Sequence, residues 1–194
     1  MSLSDDVYAF VMKAEIAKVA IDNEIKRADG SPEEVAARIR QCFPFDLMDD
    51  DFIASAEKMS SVYSAIAAFE NSARKFIQDR LLEQFGADWW DKAVSEAVRK
   101  QAQKRKEEEA QHRYHGSRGT SMIFFTQMGD LVSIIQAKWQ EAFEDHLPSI
   151  EWARQIFSAV ERSRNVIMHA GELSMNDVQR VGMNIRDWLQ QVGA

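Results

Sequence analysis

Residues 51–85 read DFIASAEKMSSVYSAIAAFENSARKFIQDRLLEQF, with no proline or glycine in the whole stretch. Phe52, Ala56, Met59, Tyr63, Ile66, Ala73 and Ile77 recur at steps of three and four, with position 70 completing the run. That is the spacing of a long helix buried along one seam, and Gly86 stands where it would end. Position 70, however, is Glu70. An acid inside an apolar stripe is costly to bury unless it is paired or hydrogen-bonded. Two partners are open: Arg74, one turn on, as a local pair at the edge of the core, or Arg164 from across a bundle.

Beyond Gly86 the helical pattern continues. Asp88 is placed to cap a helix that opens with Trp89-Trp90 and grows polar from Arg99 to Gln111, so its far end leaves the core. Gly116-Ser117-Arg118-Gly119 marks a turn, and helical spacing resumes over 129–143 through Leu131, Ile134, Ile135, Lys138 and Ala142. Pro148 closes that helix, Ser149 opens the next, and Gly171 ends it. Ser174 with Asp177 makes a capping box for a last helix carrying Val178, Val181, Ile185, Trp188 and Val192 on one face. Toward the N-terminus, Val7, Val11, Ala14, Ala17, Ile21 and Ile25 give residues 5–28 an amphipathic helix, broken by Asp29-Gly30. Ser31, Pro32 and Glu34 then supply an N-cap, a first-turn proline and a capping-box acid for a short helix to about Cys42. Pro44 ends it. The apolar residues of the loop 43–51, among them Phe45, Leu47 and Met48, predict a loop that packs down. The expected fold is all-α: a four-helix antiparallel bundle over residues 46–194, with residues 1–45 as a helical hairpin packed on it or swapped with it.

Composition agrees with this and excludes several classes. The chain has 194 residues, 45% of them hydrophobic, with three prolines and eight glycines, enough to bury a core in one domain with an appendage. No apolar run approaches the ~20 residues that cross a bilayer, and no basic segment precedes an apolar signal core. A cytoplasmic protein without a membrane partner is expected. Cys42 is the only cysteine, so an intrachain disulfide is impossible. In a chain of net charge −7, residues 99–118 stand out. Arg99, Lys100, Lys104, Arg105, Lys106, Arg113 and Arg118 face only three glutamates there, with His115 nearby. Two readings are open: a local phosphate-binding patch or a solvated helix face. His112 and His115 have metal-ligand spacing but no Cys or third His beside them, so no metal site is expected.

Chemistry concentrates in Arg164-Asn165-Val166-Ile167-Met168-His169. Arginine stays charged and grips phosphate oxygens with a planar fork, and histidine exchanges a proton near neutral pH. The helix carrying them has its core stripe at Ala153, Ile156, Val160 and Ile167, with Phe157 beside it. At about 100° per residue, Arg164 falls at the edge of that stripe, while Asn165 and His169 project from the opposite side. The periodicity argues against a core histidine; a solvent-exposed histidine without a role is the other reading.

Arg164-Asn165-x-x-x-His169 resembles the Arg-x4-6-His motif of the HEPN superfamily, small helical bundles that include many metal-independent ribonucleases. Phe69 to Ile77, Asp88-Trp89-Trp90, His115 to Gly119, Gly129-Asp130-Leu131 and Leu173-Ser174 extend the likeness over about residues 55–190. Together they are similar to one HEPN branch, which occurs alone and also appended to a PIN-type endonuclease of RNA surveillance. The resemblance implies that Arg164 and His169 are the catalytic pair, that Asn165 assists, and that Glu70 orients them with Arg74 beside it. It implies RNA cleavage by the adjacent 2′-hydroxyl, without metal or cofactor, and a homodimer through the Arg164–His169 helix. Ala170-Gly171 follow the motif where many relatives carry a polar residue. A non-catalytic HEPN module that binds RNA, nucleotide or a protein partner such as an antitoxin or regulator is the competing reading.

Overall fold

The computed structural model describes Met12, Lys13, residues 31–112 and residues 116–193. Apart from Met12 and Lys13, the helix expected over 5–28 lies outside the described residues, as do Arg113 and His115. The chain forms two compact units, Met1–Ile53 and Ala54–Ala194.

In the first unit, α1 (Pro32–Gln41) starts with a complete capping box. The Ser31 N–H donates to Glu34 Oε2 at 2.8 Å and the Glu34 N–H donates to Ser31 Oγ at 3.2 Å. After Cys42 the chain enters a 3-10 turn, Phe45–Leu47. The expectation that this loop packs down is overturned: Leu47 is 81% exposed, and Phe43 and Met48 are exposed too. The turn satisfies itself locally. Phe43 and Phe45 rings meet at 5.9 Å and the Arg40 guanidinium lies 4.8 Å over Phe45, so only Phe45 of these apolar residues is half-buried.

The long helix α2 spans Asp50–Phe85. Its seam keeps Met59, Ile66, Ala73 and Ile77 as the spacing predicts and departs elsewhere. Met59, Ile66, Phe69, Ala73, Ile77 and Leu81 are buried, whereas Tyr63 and Phe52 are exposed. Phe69 takes the inward position that strict spacing gave to Glu70, because an aromatic ring gains from leaving water and a carboxylate loses. Gly86, at φ +72, ends the helix.

The helix expected from Trp89 to Gln111 is two helices, α3 (Trp89–Ala93) and α4 (Glu96–Ala110). Ser95 interrupts them, its hydroxyl accepting from the Val98 N–H, while Asp88 makes no side-chain cap. A 3-10 turn (Met122–Phe125) leads to α5 (Met128–Ala137). The expected continuous helix to residue 143 breaks at Lys138 and widens into a π turn, Trp139–Phe143. That extra residue moves the inward position from Ala142 to Phe143, which is fully buried. Helices α6 (Ile150–Met168) and α7 (Met175–Val192) complete the unit. Their short connection makes them antiparallel neighbours.

Trp188 of α7 holds the core together. It is fully buried, stacks on Trp152 of α6 at 5.8 Å, and meets Phe157 at 5.0 Å and Phe76 and Phe69 of α2 at 5.7 and 6.0 Å. Large aromatic area from three helices is removed from water at one point. The architecture is thus an all-α bundle, with no strand among the described residues.

Candidate active site

Helix α6 delivers the motif. Ser149 caps it by accepting from the Trp152 N–H at 3.0 Å, and Ala153, Ile156, Phe157 and Val160 fix its rotation by burying one face. Arg164, one turn beyond Val160, is half-buried, while Asn165 and His169 are exposed. Among the described residues the Arg164 side chain has no hydrogen-bond or ion-pair partner, so its fork is free for a ligand.

His169 is the C-cap residue just beyond the last turn of the helix, and its placement depends on the turn that follows. Ala170 adopts φ +57, a left-handed conformation that costs an L-residue roughly 1–2 kcal/mol. The Ala170 N–H bonds the Ile167 carbonyl at 3.0 Å and the Gly171 N–H bonds the Val166 carbonyl at 2.9 Å, a Schellman closure with alanine where glycine is usual. Glycine is instead required next door, since a Cβ on Gly171 would come within 2.8 Å of Val166 Cγ1. The turn is anchored to α2. Leu173 is buried and its N–H reaches Met59 Sδ at 3.4 Å, and Glu172 pairs with Lys58 at 3.0 Å. A hydrogen bond from Ser55, and then the Lys58 ammonium, hold the Glu172 carboxyl below its ordinary value.

Glu70 belongs to another cluster. Its carboxylate pairs with Arg74, whose Nη2 also donates to the Thr126 carbonyl at 3.1 Å and whose Nη1 donates to Asn71 at 3.2 Å. Of the two partners left open by the sequence, Arg74 is the one that pairs, and the link to Arg164 across the bundle does not form. Arg74 lies on the same face one turn away and satisfies the half-buried acid without a long reach. A matching link ties α4 to α5: Arg105 pairs with Asp130 at 2.7 Å and donates to the Phe125 carbonyl at 2.9 Å. The Arg74 and Arg105 links clamp the segment between the 3-10 turn and α5 from two sides. Periodicity missed the role of Asp130; its signal was its place three residues after Gln127, whose N–H it accepts.

The basic segment is largely neutralised. Arg99 pairs with Asp91, Lys100 with Glu96, Lys104 with Glu108 and Arg118 with Glu109, Arg105 is structural, and Lys106 lies 3.8 Å from Met122 Sδ. Exposed pairs of this kind are worth about 0–1 kcal/mol, so the lysines remain exchangeable, but they do not form an unopposed cationic surface. Among the described residues no group of three or more His, Cys, Asp or Glu could hold a metal ion, and no helix is long and apolar enough to cross a membrane.

With an outward-facing Arg-x4-His at the end of a bundle helix established, comparison with known families decides the relationship: residues 64–193 match Swt1-like HEPN. The chain belongs to the Swt1-like HEPN family. No curated protein and no solved structure matches it. The matched region covers α2 from its buried half onward and all later helices, so the Trp188 core, the Arg74 and Arg105 clamps and the Arg164–His169 helix all lie within the HEPN module. Membership places the chain among nuclease and RNA-binding modules.

Proposed function

We propose that this HEPN protein is a metal-independent endoribonuclease whose catalytic pair is Arg164 and His169, with Asn165 assisting. One observation carries the proposal. Arg164 is half-buried yet without a partner among the described residues, beside exposed Asn165 and His169 on a helix whose other face is core. A guanidinium left uncommitted at the core's edge is suited to neutralise charge on phosphoryl oxygens, and the imidazole is suited to exchange the proton of a 2′-hydroxyl or of the leaving 5′-oxygen. The reaction forms the O2′–P bond and breaks the P–O5′ bond, leaving a 2′,3′-cyclic phosphate and a 5′-hydroxyl. One histidine per chain supplies one proton-transfer group where two serve best. We therefore place two copies of the motif in one cleft, across a two-fold axis through the α6 helices.

A second reading is favoured by the engagement of Glu70 with Arg74 and Thr126, which leaves the pair without an orienting acid. Under it the module binds RNA or a regulatory protein without cleaving. An RNA oligonucleotide and its fully 2′-deoxy counterpart, incubated with the protein in EDTA, separate the two. Cleavage of the RNA alone, with cyclic phosphate ends, supports catalysis; binding of both oligonucleotides with neither cut supports the binding module.

A further inference from the structure

The HEPN match begins at residue 64, and the two most exposed large apolar side chains among the described residues lie before it. Leu47 is 81% exposed and Phe52 76%, and Ile39, Phe43 and Met48 are exposed as well. Single apolar residues on a surface need no explanation, but five between positions 39 and 52 form a concentration that does. Nor is the backbone that presents them loose. The Leu47 N–H bonds the Pro44 carbonyl at 3.0 Å, the Met48 N–H bonds the Phe45 carbonyl at 3.1 Å, and Asp49 caps α2 by accepting from the Asp51 N–H at 2.9 Å. A surface held in shape before binding loses less entropy on binding.

Charge identifies what fits it. Asp46, Asp49, Asp50 and Asp51 are interleaved with the apolar residues, and none makes an ion pair among the described residues. Arg40 is the one cation within residues 39–52 and lies over Phe45, and the positive pole of α2 offsets about half an elementary charge, so acids still outnumber bases four to one along this stretch. A nucleic acid or an anionic membrane would bring further negative charge to this surface, and a second copy placed patch to patch would bring four more carboxylates. A cationic partner with its own apolar stripe meets both features at once. We infer that residues 39–52 form a docking surface for a basic, amphipathic helical segment of a partner protein, with its apolar side chains on Leu47 and Phe52 and its lysines or arginines on the aspartates.

The probe is a labelled twenty-residue helical peptide, leucine on one face and lysine on the other, titrated into the full-length protein by fluorescence anisotropy. Binding that weakens with salt is expected. Leu47→Ser with Phe52→Ser should reduce affinity about tenfold or more, and Asp46→Asn with Asp50→Asn and Asp51→Asn should reduce it and flatten the salt dependence. Asp49 is kept because it caps α2. Circular dichroism checks that both variants fold; should the serine variant unfold, the asparagine variant decides alone. Affinity unchanged by either set would reduce the binding to non-specific attraction by an acidic protein and overturn the inference. A photo-cross-link from Leu47→p-benzoylphenylalanine should reach the peptide. Capture of the protein's own chain or of a second copy, with the peptide excluded, would overturn the inference too.

Discussion

Arg164 and Ala170 are the two residues whose state a well-packed helix end would not by itself produce. The first keeps a charged fork at the core's edge without a partner among the described residues; the second spends backbone energy to close the turn after His169. Both depart from what stability alone would select; Ala170 directly follows His169, and Arg164 precedes it by five residues. Ala170→Gly removes the left-handed penalty while adding unfolded-chain entropy, so it should stabilise the protein by about 0.5–1 kcal/mol. Urea unfolding measures it, and a loss of stability would mean that the alanine methyl makes a contact worth more than the strain.

At the scale of elements, two connections to α2 matter: Glu70–Arg74–Thr126 and Ser55–Lys58–Glu172. Arg74→Ala leaves a carboxylate only 14% exposed without its cation, and should cost about 2 kcal/mol, discounted from the fully buried case. Arg164→Ala should change stability by less than about 0.5 kcal/mol. Equal losses from the two, measured by thermal melting, would return Arg164 to a structural role. The Glu172 clamp gives a pH dependence of known sign. Its carboxyl is held below the ordinary value by Ser55 and Lys58, so its contribution is present above the unfolded-state value and is lost as pH falls through the lowered folded-state value. The melting-temperature gap between wild type and Glu172→Gln should therefore be open at pH 7 and close in acid; a gap unchanged into acid would deny the clamp. These connections also mark what sequence could and could not disclose. Ser31, Ser149 and Ser174 were legible as caps because capping is local chemistry. Met59, Ile66, Ala73 and Ile77 of α2 were legible from spacing and are buried; the inward turn of Phe69, the break at Ser95 and the π turn at Trp139–Phe143 were not, because a three-dimensional core decides that Phe69 and Phe143 face inward rather than Glu70 and Ala142. Glu70's choice of Arg74 was open for the same reason: spacing offers two partners, and only packing selects one.

The whole molecule combines a HEPN module with a proposed two-fold cleft and a proposed acidic, apolar docking surface outside the matched region. The cleft predicts a homodimer by light scattering at micromolar concentration. Mixed subunits carrying Arg164→Ala and His169→Ala should recover part of the activity that each variant lacks if the two motifs act together. A monomer with full activity would refute the sharing and leave the chemistry of a single motif intact. That chemistry is the central claim, and single-turnover cleavage of a labelled RNA in excess EDTA by wild type and His169→Ala tests it most directly. The prediction is cleavage to 2′,3′-cyclic phosphate ends by wild type and a rate lower by ~10²–10⁴ for the variant, at unchanged melting temperature. Equal rates for the two proteins, or no cleavage by either, would contradict it.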